Sequence, residues 1–202
     1  MMNNNDLITK SIQDSIDIKK LVANECINDI ERCGNILSDV YKNGKKVLFC
    51  GNGGSAADAQ HIATELVIRY RSTVERRSLP AIALTTDSSM ATAGGNDFGF
   101  ENTFARMVEG LGNTGDVLVG ISTSGNSVNV INAVKMAKSK GVHTIGLLGN
   151  NGGHLLELTD ANVVVPSVVT ARIQECHIMI GHIWCEMIEM ALFPEFFSKD
   201  DK

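Results

Sequence analysis

The sequence predicts an α/β fold: a doubly wound, five-stranded parallel sheet flanked by helices and preceded by a long N-terminal helix. Two observations predict it. Five apolar runs of strand length recur, "KVLFC" (46–50), "AIALT" (81–85), "DVLVGIS" (116–122), "HTIGLLG" (143–149) and "NVVVP" (162–166). Each is apolar almost without interruption, the pattern of strands buried on both faces. Helix-like segments separate them, and that alternation gives a parallel sheet with right-handed crossovers.

In chain order, a polar–apolar helical stretch over roughly 14–43 comes first, and residues 1–43 read as a helical extension of one domain spanning 1–202. The glycine-rich turn after the first strand opens a helix over 55–70. Residues 87–109 form the next, broken at Gly94–Gly95, and further helices follow at 127–140, 153–158 and 170–192. With only three prolines, no repeat and no low-complexity tract, no internal boundary is visible. Ligands of such sheets bind outside the carboxyl ends of the strands, where strand order reverses. The loops to read are therefore "GNGGS", "TTDSS", "GGNDFG", "STSGNS" and "GNNGG".

The formal net charge of −5 gives no bulk attraction to nucleic acid or anionic lipid. Arg69, Arg71, Arg76 and Arg77 cluster in "RYRSTVERR", either as a solvated loop or as a patch that steers an anionic substrate. The five cysteines lack CxxC spacing and read as reduced, buried thiols. No basic-then-apolar leader is visible, and "IMIGHIWCEMIEMALF" is interrupted by His182, Glu186 and Glu189, so it is no bilayer span. A cytoplasmic location is expected, with neither nucleic acid nor membrane as partner.

In "GNGGS" the glycines let the backbone approach a ligand closely, and Ser55 stands where an N-cap would be. The motif is neither a Walker A loop nor a good dinucleotide fingerprint. In "STSGNS", Ser122, Thr123, Ser124 and Ser127 place four hydroxyls in six residues between a buried strand and a helix. Hydroxyls and helix N-terminal amides hold a phosphate without a lysine; the alternative is a hydroxyl-rich turn with no ligand.

His61 and Glu65, four apart, share one face of the helix that leaves the glycine loop. Gln174 and His182, eight apart, project from one side of the last helix. Histidine and carboxylate are ligands for zinc and carriers of protons near neutral pH, whereas glutamine is an unusual ligand. A surface salt bridge is the competing reading of His61 and Glu65. His177 reads as a packed or interface histidine.

"GNGGSAADAQHIATEL", "RYR", "LPAIALTTD", "GNDFGFENTFARMVE", "GDVLVGISTSGNS" and "ARIQECHIMIGHIWCEMIE" together resemble, in order and over almost the whole chain, the sedoheptulose-7-phosphate (phosphoheptose) isomerases. These are single-domain members of the sugar isomerase (SIS) superfamily, with a flavodoxin-like fold. The resemblance implies conversion of sedoheptulose 7-phosphate to D-glycero-D-manno-heptose 7-phosphate through an enediol, the entry to bacterial heptose precursors. It implies a homotetramer with active sites between subunits and one zinc per subunit. Carried over by position, His61, Glu65, Gln174 and His182 are the zinc ligands, with Glu65 and His182 catalytic. Asn52, Gly53, Gly54, Ser55, Asn96, Asp97, Ser122, Thr123, Ser124, Ser127 and Gln174 line the substrate site.

A non-catalytic branch of the superfamily, which binds the bacterial replication initiator, is the alternative. The ending "ALFPEFFSKD" looks like that branch's, but that branch replaces Glu65 and His182, and this chain keeps both. Sugar-phosphate sensors and glutamine-dependent synthases carry additional domains that are not expected here.

Overall fold

The computed structural model describes residues 3–197. Residues 198–200 of the "ALFPEFFSKD" ending lie outside that range, as do Met1 and Met2. All five predicted strands form, as β1 (Val47–Gly51), β2 (Ala81–Ala83), β3 (Val117–Ser122), β4 (His143–Gly149) and β5 (Ala161–Val165). Every pairing is parallel and the order is β2-β1-β3-β4-β5. β1 and β3 are thus neighbours although β2 lies between them in sequence. The order reverses there, and the loops after β1 and β3 open side by side.

The helices are α1 (Asn4–Glu25), α2 (Ile27–Lys42), α3 (Gly54–Val67), α4 (Ser88–Phe98), α5 (Phe100–Leu111), α6 (Val128–Ser139), α7 (Leu155–Leu158) and α8 (Thr170–Leu192). Two expectations need correction. The stretch expected over 14–43 begins at Asn4, where the Asn3 side chain accepts a hydrogen bond from the Asp6 amide at 2.9 Å, and it breaks at Cys26. The Cys26 thiol donates to the Val164 carbonyl at 3.4 Å, so the break is pinned to the outermost strand.

The helix expected to break at Gly94–Gly95 breaks instead at Gly99, whose φ of 81° a residue with a side chain rarely adopts. Gly94 is a contact glycine inside α4: a Cβ there would lie 2.9 Å from Thr103 Cγ2. "GGNDFG" is accordingly the end of a helix rather than a loop.

Two cores sandwich the sheet. On one face α2, α3 and α8 bury Leu37, Ile62, Leu66, Ile180 and Trp184; on the other α5 and α6 bury Phe104, Val108, Val130 and Val134. All five cysteines are free and buried, as expected. Burial pushes the Cys33 and Cys50 thiols up to about 12, which makes them inert as nucleophiles. No helix among the described residues is long and apolar enough to cross a membrane.

Candidate active site

The site is built on the seam between α3 and α8, which run side by side in the same direction. Gly54 lies against the Gln174 carboxamide, and a Cβ on Gly54 would meet its Nε2 at 2.4 Å. Two turns along both helices, Gly181 leaves room for Ile62, whose Cδ1 would sit 2.5 Å from a Cβ there. That close approach brings His61 and His182 together, with their Nε2 atoms 2.8 Å apart. Glu65 Oε1 lies 3.4 Å from His61 Nε2, and one donor atom from each of the three falls within 4.8 Å of the others.

Two imidazole nitrogens at 2.8 Å need a proton or a cation between them, because two lone pairs repel. Two imidazoles and a carboxylate form a donor set that suits zinc, so the residues present fit such an ion. The structure brings together His61, Glu65 and His182. Gln174 stands at the other end of the seam, beside Gly54.

That other end is a cradle suited to an anion. The α3 helix starts one residue earlier than expected: Gly53 takes the N-cap place with φ 56°, and Ser55 is buried in the first turn, its Cβ close to Gly51. Asn52 and Asn129 exchange both amide hydrogen bonds, at 2.9 and 2.8 Å, and so tie the loop after β1 to the start of α6. In the loop after β3, the Ser122 and Ser127 hydroxyls lie 3.0 Å apart, and Ser122 Oγ accepts from the Gly125 amide at 3.1 Å. Ser127 is the N-cap of α6 but spends no hydroxyl bond on the cap, and Ser124 is exposed with Thr123 half-buried beside it. Hydroxyls gathered at a helix N-terminus suit an anion.

Gly125 carries this loop. Its φ is 67°, and a Cβ would lie 1.8 Å from the Gly152 carbonyl oxygen, so the loops after β3 and β4 touch backbone to backbone.

Asn96 and Asp97 are not in this constellation. They lie on α4, which buries none of its residues, and the Asn96 amide donates to the Asp97 carboxylate at 2.7 Å. Of the four clustered arginines, Arg71 pairs with Glu186, and the Arg76 side chain is fully buried with that of Glu189. His177 is packed as expected, its Nε2 bonded to the Leu148 carbonyl at 2.9 Å.

Sequence reasoning missed Asn129 and Asp58. Asp58 precedes His61 by one turn on the same face of α3, and its Oδ2 is buried without a partner. Burial pushes its carboxyl up to about 6, against the opposing pull of His61. The spacing Asp58, His61, Glu65 was the available signal. Nothing in the sequence singled out Asn129.

Fold and site define a domain of the sugar-isomerase type, and the SIS domain family is matched over residues 12–149. The chain is 51% identical over 190 residues to the phosphoheptose isomerase of Sulfurimonas denitrificans, covering 93% of this chain and 96% of that one. It is 49% identical over 195 residues to that of Aneurinibacillus thermoaerophilus, covering 96% and 98%. The solved phosphoheptose isomerase of Francisella tularensis superposes with TM-score 0.90 at 39% identity, over 94% of this chain and 100% of that one. The Neisseria gonorrhoeae enzyme gives 0.87 at 42%, over 93% and 99%. This chain belongs to the phosphoheptose isomerases.

Proposed function

We propose that the chain converts sedoheptulose 7-phosphate to D-glycero-D-manno-heptose 7-phosphate, the first step towards bacterial heptose precursors. The observation that carries this is the convergence of Glu65 with His61 and His182 at one end of a seam whose other end is an anion cradle. From Gly54 to His61 is about 10 Å of helix rise. A sugar chain of six carbon–carbon bonds, about 1.5 Å each, spans a comparable distance when extended. Its phosphate would lie among Ser122, Thr123, Ser124 and Ser127, with Asn52, Gly53, Gly54 and Ser55 shaping the near wall and Gln174 reaching the sugar.

In the mechanism Glu65 takes a proton from C1 of the ketose, an enediol forms, and the proton is delivered to C2. His182 gives a proton to the C2 oxygen and receives one from the C1 hydroxyl, so the aldose emerges with both residues restored. His61, Glu65 and His182 would hold zinc, with Gln174 as the fourth donor once it turns from Gly54. Bound there, the ion would supply positive charge to stabilise the developing enediolate.

The assembly proposed is a homotetramer in the cytoplasm with sites between subunits. Leu7, Ile8, Ile12 and Ile16 expose an apolar stripe on α1, and α4 presents Asn96 and Asp97 with no buried residue of its own. Assembly would bring those two to a neighbouring site.

The test is turnover of sedoheptulose 7-phosphate in deuterated water, followed by NMR with zinc and with a chelator. Aldose carrying deuterium at C2, absent in Glu65→Gln, is the expected result. A folded protein that binds the phosphosugar and converts none of it under any metal condition would overturn the proposal.

A further inference from the structure

The geometry points to Arg76 and Glu189 as positioning residues of the isomerase site, a buried clamp that sets Glu65 and His182 relative to each other without touching substrate. The inference rests on the roles proposed above for those two side chains. Arg76 and Glu189 have side chains 0% exposed and pair Nε to Oε1 at 2.7 Å. The guanidinium also donates from Nη2 to the Glu65 carbonyl at 2.8 Å and from Nη1 to the Leu66 carbonyl at 3.0 Å.

Those carbonyls belong to the last turn of α3, where carbonyls lack partners within the helix and where α3 has no basic residue of its own. Leu66 also accepts from the Leu79 amide at 3.1 Å, so the Glu65 carbonyl is the one that depends on Arg76. Arg76 therefore seals the end of α3 through the backbone of Glu65 itself. The same Glu189 oxygen accepts from the Tyr70 amide at 3.2 Å, and the Tyr70 ring stands 5.6 Å from the His182 ring. Glu189 follows His182 by two turns on α8. One carboxylate oxygen thus anchors both the guanidinium that holds Glu65 and the aromatic wall behind His182.

Stability is a poor explanation for this pair. A buried ion pair repays its desolvation only when every polar atom is satisfied, and apolar replacements are often neutral or better. Glu189 Oε2 is buried with no partner. A planar fork spanning two carbonyls and a carboxylate is also work that lysine cannot do.

The decisive experiment compares the wild type with Arg76→Met/Glu189→Met, which removes both charges together and leaves none stranded. Thermal unfolding is read beside kcat and KM for sedoheptulose 7-phosphate, and the ring 15N shifts of His61 and His182 report their contact. The expected result is a melting temperature near wild type, kcat down at least tenfold, KM within twofold and shifted histidine resonances. Wild-type kcat and unshifted rings would overturn the clamp, leaving a pair that only packs. Should the double variant not fold, Arg76→Lys keeps the charge without the fork and is held to the same readings. A wild type without turnover would remove the isomerase assignment alone, and the clamp would then stand or fall on the histidine shifts.

Discussion

His61 and His182 meet because α3 and α8 place them at matching heights of one seam, and Glu65 joins them one turn on. Those positions were legible in the sequence, since spacings of four and eight put side chains on one helix face. The partner of each helix was not legible, because spacing says nothing of which face meets which. Arg76 was hidden for a related reason: four arginines share one short run, and only the packed structure separates the one whose side chain is fully buried from the other three.

Two expected outcomes belong at the residue scale. Ser124→Ala should raise KM roughly fivefold, the equivalent of about 1 kcal/mol for one lost hydrogen bond, with kcat unchanged in steady-state kinetics. His177 is held at about 4 by burial, well below its ordinary 6.5. Between those values the unfolded chain binds a proton that the folded chain does not. The His177 contribution is therefore complete above pH 6.5 and is lost as pH falls towards 4. Urea titrations should show that loss in the wild type and a flatter profile in His177→Phe.

At the scale of elements, the strands were legible because burial on both faces writes a continuous apolar run. Helix ends were less so. Gly94 and Gly95 carried the obvious breaking signal, yet Gly94 is there for the approach of Thr103, and the turn falls at Gly99. The break at Cys26 has no sequence signal, because it depends on a carbonyl of the distant β5.

Gly125→Ala should disable the cradle, since a Cβ cannot coexist with the Gly152 carbonyl; calorimetry with the phosphosugar should show binding lost while the rest of the domain stays folded. Gly181→Ala should push α3 from α8, costing about 1–3 kcal/mol in chemical denaturation. Turnover should fall with it, and Ile62→Ala in the same chain should restore part of both.

For the whole molecule, the strand order matters most, because it lays the loops after β1 and β3 side by side although 70 residues of chain separate Asn52 from Ser122. The two cores then acquire different meanings. The hydroxyls of Ser122, Thr123, Ser124 and Ser127 lie at the end of β3 and in the loop that leads into α6, which packs on one face of the sheet, whereas Glu65 and His182 ride on α3 and α8, packed on the other. The sheet is a partition wall, and on the proposed reading a ligand lying over its rim would have its phosphate gripped mainly from the α6 side and its reacting carbons handled from the α3–α8 side. Softening one room should leave the other furnished: Val134→Ala, on the buried face of α6, should weaken grip before speed, and Leu66→Ala, on the buried face of α3, speed before grip.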